Sequence, residues 1–106
     1  MKKATEMPKR KIIEGKAFTK AIDSYFLYKS NNFENLNHAK RKFIYIYQEI
    51  ARISELNSFP CRKVKYRNSS NLQYFGFQKH LIFFKLNEFE MQLKYFVAAK
   101  RIRKSL

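Results

Sequence analysis

The sequence predicts a small α+β domain: a short N-terminal strand, then a two-helix hairpin packed on an antiparallel sheet of about four strands. Three observations carry this expectation. Apolar residues recur every three or four positions in the first half of the chain and every second position after Pro60. The 106 residues suit one domain with one modest core. Gly and Pro, at two each, leave no loop-rich stretch or linker, and a composition 45% hydrophobic and 17% aromatic excludes disorder of the low-hydrophobicity kind.

Residues 1–10 are polar and basic, with Pro8 and nothing to bury, and read as a flexible lead; 11–106 read as the single domain. Ile12 and Ile13, just before Gly15, mark a short strand over 11–14. Between 17 and 29, Phe18, Ala21, Ile22, Tyr25 and Phe26 fall on one face of a helix that Ser30, Asn31 and Asn32 end. A second helix is expected over 35–56, because Leu36, Ala39, Phe43, Ile46, Ile50 and Ile53 hold the same spacing throughout. Lys40, Arg41, Lys42, Gln48, Glu49, Arg52 and Glu55 take its other face, so the helix needs a partner surface. The few polar residues between the helices imply an antiparallel hairpin, and Pro60 pushes Phe59 out of the α region.

After Pro60 a first strand is expected over 61–66, with Cys61, Lys63 and Lys65 on one side and Arg62, Val64 and Tyr66 on the other. Turn chemistry follows over 67–71, then a strand over 72–77, a tight connection at Gln78 and Lys79, and an almost wholly apolar strand over 81–86. In the last strand Phe89, Met91, Leu93, Tyr95 and Val97 alternate with Glu90, Gln92 and Lys94.

Composition also bounds the chemistry. A single cysteine, Cys61, excludes an intramolecular disulfide and a multi-cysteine zinc site, and the scattered acids show no metal-ligand spacing, so no cofactor or metal is expected. Next to Arg62 and Lys63 the Cys61 thiol reads as structural rather than nucleophilic. No apolar run approaches the ~18 residues that span a bilayer, and the polar start has no apolar segment behind it; a cytoplasmic protein without membrane contact is expected.

The net charge is +15, from 23 Lys and Arg against 8 Asp and Glu. A small domain with such self-repulsion is expected to meet a polyanion: nucleic acid, a ribosome or an acidic protein. The second half is the more cationic, with no acid between Glu55 and Glu88 and none after Glu90. Lys63, Lys65, Arg67, Lys79, Lys85, Lys100, Arg103 and Lys104 are the candidate nucleic-acid contacts, the C-terminal run of cations being expected to touch phosphate. RNA cleavage without metal needs a group that activates the 2′-OH, a cation for the phosphorane charge and an acid for the leaving oxygen. His80 and Arg101, with Lys79 beside them, are the candidate catalytic set, although His80 by itself reads first as a histidine at the rim of the core. Tyr74, Phe75, Phe77, Phe83, Phe84, Phe89, Tyr95 and Phe96 would suit base stacking, although a sheet covered by helices must bury about half of them.

A short strand, an αα-hairpin, a proline break and a meander holding Lys79-His80-Leu81-Ile82-Phe83-Phe84-Lys85 together resemble the RelE/ParE superfamily of toxins from type II toxin-antitoxin systems. The Lys79 segment resembles the ParE-type strand G-[KR]-H-x-I-F-Y-[KR]. Ala39, Leu56 and Pro60 resemble the family's A-x-x-F…L…P pattern, and Ala99-Lys100-Arg101 resembles the RelE-type ending G-K-R. The resemblance implies growth arrest, an acidic antitoxin partner, and engagement or cleavage of mRNA at the ribosome as a ribosome-dependent endoribonuclease. In that reading Arg101 matches the late catalytic arginine, and His80 stands where RelE-type enzymes have another arginine. Asn71 and Gln73 stand about where those enzymes carry lysines. The ParE side of the resemblance implies inhibition of DNA gyrase without catalysis, and a basic nucleic-acid-binding module unrelated to toxins is the third reading.

Overall fold

A computed structural model describes residues 10–32 and 36–100. The order is β1 (Lys11–Glu14), α1 (Lys16–Asn32), α2 (Leu36–Ser54), β2 (Val64–Tyr66), β3 (Ser69–Phe77), β4 (His80–Leu86) and β5 (Glu90–Ala98). This is the expected α+β layout with one enlargement. The N-terminal strand joins the meander, so the sheet has five strands, not four, ordered β1-β5-β4-β3-β2. β1 runs parallel to β5 and every other pairing is antiparallel, which makes the sheet mixed. A parallel neighbour needs a long crossover, and here the helices and the meander supply it. Gly15 ends β1 by donating its N–H to the Leu93 carbonyl at 2.9 Å. A Cβ at Gly15 would meet that same oxygen at 3.0 Å, so the close approach needs glycine.

The helices cover one sheet face. Phe18 and Ile22 of α1 and Ile46, Ile50 and Ile53 of α2 are buried with Phe75, Ile82, Phe84, Met91, Leu93 and Phe96. These are the helix positions expected from their spacing, except that Phe43 is 42% exposed and lies at the outer edge of the hairpin, edge-on to Phe26 at 4.9 Å. Glu14 ties β1 to the hairpin by accepting hydrogen bonds from the Thr19 hydroxyl at 3.2 Å and the Tyr47 hydroxyl at 3.1 Å. Burial, and then the charge and hydrogen bond of Glu14, push the Tyr47 phenol above its ordinary pKa.

Several strand expectations are corrected. Residues 61–63 are not strand, and β2 is only Val64–Tyr66. The turn expected over 67–71 contracts to Arg67 and Asn68. Ser69 already pairs with Tyr66, and the extra residue sits in a bulge where Asn71 takes a left-handed φ of 58°. Gln78 and Lys79 form the tight turn as expected, with Gln78 at φ 56°. In β5 the alternation breaks at Lys94, because Phe83 pairs with Tyr95 but Phe84 with Leu93. The bulge moves Tyr95 and Val97 to the opposite face from Met91 and Leu93, and Phe96 replaces them in the core. Phe89 falls outside the strand and is 70% exposed.

The second helix ends at Ser54, two residues before the expected boundary. Its terminal carbonyls are met from a distance. The Arg10 guanidinium donates to the Ser54 oxygen at 3.0 Å, to the Leu56 oxygen at 2.5 Å, to the Asn57 oxygen at 3.3 Å and to the Asn87 oxygen of the β4–β5 turn. Arg10 closes the set read from sequence as a flexible lead, and it is half-buried; residues 1–9 lie outside the described residues. One side chain thus joins the start of the sheet, the end of α2 and a distant turn, and positive charge at a helix C-terminus is favourable. Arg10→Ala is expected to lower unfolding free energy by about 1–3 kcal/mol, since charge-assisted bonds to otherwise unsatisfied carbonyls are lost. Urea denaturation checks this, and a midpoint equal to that of the parent protein would remove the clamp from the account.

Among the described residues no helix is long and apolar enough to cross a membrane.

Candidate nucleic-acid interface

The face of the sheet turned away from the helices is built by alternation along β3, β4 and β5. Leu72, Phe83 and Val97 are buried there beneath a half-exposed layer of Val64, Tyr66, Tyr74, Leu81 and Tyr95. Tyr66 lies flat on Phe83, with ring centres 4.8 Å apart and planes 2° from parallel, and meets Tyr95 edge-on at 5.2 Å. The Arg67 guanidinium is 5.3 Å from the Tyr66 ring centre and 5.4 Å from that of Tyr95. The result is a layered stack in which Phe83 is the floor, Tyr66 rests on it and Arg67 reaches both tyrosines. The Tyr95 hydroxyl is positioned by the Ser69 hydroxyl at 3.2 Å.

Cations surround this stack. Arg62 and Lys65 line a groove of about 270 Å³ that runs past Tyr66, Tyr74 and Phe83. Lys85 shares the face, because it pairs with Gln92 and alternates with the core residues Phe84 and Leu86. Arg52 forms an ion pair with Glu49 on α2, on the helical side of the domain. Hydrogen bonding and charge from Arg52 lower the Glu49 pKa. The acid Glu90 accepts a bond from Gln92 at 2.9 Å and leaves Arg62, Lys65, Arg67 and Lys85 without a described carboxylate in ion-pair range.

The residues singled out from sequence fall into separate groups. Arg67 and Lys85 belong to the open face, while Lys65, which alternates with Val64 and Tyr66 on β2, lines the groove from the edge strand. Lys79, His80 and Lys100 lie at the β3–β4 turn end, on the helix side of the sheet, where they line one cleft with Tyr25 and Tyr28. The His80 ring lies parallel to Phe96 at 4.6 Å and edge-on to Tyr25 at 4.7 Å, so it is packed as a rim residue as well as facing the cleft. Burial raises the Tyr25 pKa. Lys63 is at the other end of the sheet, beside Arg10, Asn57 and Glu88. Arg101, Arg103 and Lys104 lie outside the described residues. Gln73, which stands about where the family carries a lysine, is buried and donates from Nε2 to the carbonyls of Phe59 and Cys61, each at 2.8 Å; it holds the 59–61 loop against β3.

Tyr66 and Arg62 were not among the site candidates, although their signal was present. Arg62, Val64 and Tyr66 share one side of the alternation read from sequence, and that side is the groove wall. Tyr25, Tyr28 and Lys42 carried no signal, since only the packing of the hairpin brings them to the β3–β4 turn.

The chain matches no known family model, no curated protein and no solved structure. The family resemblance therefore rests on the sequence motifs and on the order of elements.

Proposed function

We propose that this chain is a RelE/ParE-like toxin that arrests growth by engaging single-stranded RNA, mRNA at the ribosome above all, on the open face of its sheet. The observation that carries the reading is the stack of Phe83, Tyr66 and Arg67 set among Arg62, Lys65 and Lys85 with no described carboxylate against them. Unpaired bases stack on tyrosine rings and on guanidinium planes, while cations at the edge of a groove follow the phosphates. A duplex offers no splayed bases to such a face, so single strands are the matching class. The order of elements and the Lys79–Lys85 motif support the toxin assignment, and the net charge of +15 supports neutralisation by an acidic antitoxin protein.

Two measurements test this. Expression without a partner is expected to stop bacterial growth, and purified protein is expected to bind a single-stranded RNA with a log-log salt slope of roughly −0.7 per phosphate contacted. Normal growth at confirmed soluble expression would remove the toxin assignment and leave a basic nucleic-acid-binding module. Growth arrest by a protein that binds no RNA would favour a protein target such as gyrase, and a ribosome-dependent cleavage assay separates cutting from binding.

A further inference from the structure

We propose that the cleft between the end of α1 and the β3–β4 turn is a second site, which takes a single nucleoside phosphate, either free or as the terminal unit of an RNA strand. The cleft measures about 770 Å³ and adjoins a hollow of about 260 Å³ that reaches Lys42, the two sharing Tyr25, Gln78, Lys79 and His80 in their walls. That is the size of a small-molecule site and far more than an inorganic anion fills.

Its walls supply two kinds of recognition. Lys79, Lys100 and Lys42 come from the turn, the chain leaving β5 and α2, and no described carboxylate lines the cleft. Lys79 and Lys100, from separate elements, line the cleft itself and Lys42 the adjoining hollow, a cationic setting that favours a phosphate dianion. The lining is also aromatic: Tyr28, 61% exposed, and Tyr25, which is braced edge-on against Phe26 at 5.0 Å and Phe96 at 5.3 Å. These rings offer a planar ligand a surface on which to lie. An acidic side chain would engage the lysines alone; a base joined to a phosphate engages both the lysines and the aromatic lining.

The site is held in place. The Ala99 N–H donates to the Lys79 carbonyl at 2.8 Å, which fixes the two cationic segments relative to each other. Lys42 donates from Nζ to the Gln78 side-chain oxygen at 3.0 Å and locks the turn to α2. The cleft is also distinct from the open face: His80 and Ala98 pair on the helix side of the sheet, while their neighbours Leu81 and Val97 turn to the other side. The proposal does not rest on RNA binding at the open face.

The test is calorimetric titration of the full chain at low salt with adenosine 5′-monophosphate, and with adenosine and inorganic phosphate in parallel. The nucleotide is expected to bind at least about tenfold more tightly than either fragment. Lys79→Ala and Lys100→Ala are each expected to weaken the nucleotide roughly tenfold. Tyr28→Ala should weaken the nucleotide and adenosine and leave phosphate as it was. Lys79, Lys100 and Tyr28 are all exposed, so these variants keep the core, and circular dichroism verifies it. Tyr66→Ala, which acts on the open face, should leave nucleotide binding in place. Competition by a short RNA with a 5′-phosphate, and none by the same RNA with a 5′-hydroxyl, would identify a strand end as the source; no competition by either would identify the free nucleotide. The proposal is overturned if the nucleotide binds no better than phosphate, if Lys79→Ala and Tyr28→Ala do not change its affinity, or if Tyr66→Ala abolishes it.

Discussion

Phe84→Ala is expected to destabilise the domain by about 3–5 kcal/mol, the usual cost of truncating a fully buried phenylalanine. Phe84 has 0% exposure and lies on β4, the middle strand of the sheet. Its ring is met edge-on by Phe59 at 5.4 Å and obliquely by Phe75 at 5.9 Å. Truncation removes these contacts together with those to the helices, and a pleated strand paired on both sides cannot move in to fill the void. Domains of this size are stable by only about 5–15 kcal/mol, so the variant is expected to unfold at far lower urea with an unchanged m-value. Phe89→Ala is the matching control: with Phe89 70% exposed, it should stay within about 0.5 kcal/mol of the parent. Equal midpoints for the two variants would contradict the placement of β4 at the centre of the core.

Tyr66→Ala is expected to weaken single-stranded RNA by about 1–3 kcal/mol, or roughly 5- to 150-fold, the range found for removing one stacking ring. Tyr66→Phe should bind nearly as the parent, because the phenyl ring keeps both its contact with Phe83 at 4.8 Å and its aromatic surface. Arg67→Ala acts on a different variable. It should lower affinity at low salt and flatten the log-log salt slope by about 0.7 if its guanidinium meets one phosphate. If the guanidinium instead stacks on a base, affinity falls and the slope stays. Fluorescence anisotropy over a salt series reads both quantities, and melting curves separate lost binding from lost folding. Unchanged affinity in folded Tyr66→Ala and Arg67→Ala would exclude the open face as the RNA surface.

Much of this protein follows from local pattern. The buried positions of α1 and α2, Phe18, Ile22, Ala39, Ile46, Ile50 and Ile53, follow from three-and-four spacing, and the change to a period of two after Pro60 announces the meander. The basic character of the second half is a matter of composition. Periodicity is legible because each helix or strand must present one apolar face whatever its partner.

Tertiary structure decided what these local rules leave open. Nothing in the short segment Lys11–Glu14 states that it will pair parallel with β5, since its partners Glu90–Leu93 lie far along the chain. Arg10 reads as part of a polar lead until the C-terminus of α2 and the β4–β5 turn arrive at its guanidinium. The bulge at Lys94 reassigns Tyr95 and Val97 to the open face, because one extra residue reverses the side on which every later residue of a strand points. The candidate cations divide for the same reason. A run of charge in sequence records how many lysines and arginines there are, while strand order and packing decide that Arg67 and Lys85 share one face, that Lys65 lines the groove at its edge, that Lys79 and Lys100 share a cleft, and that Lys63 belongs to none of these.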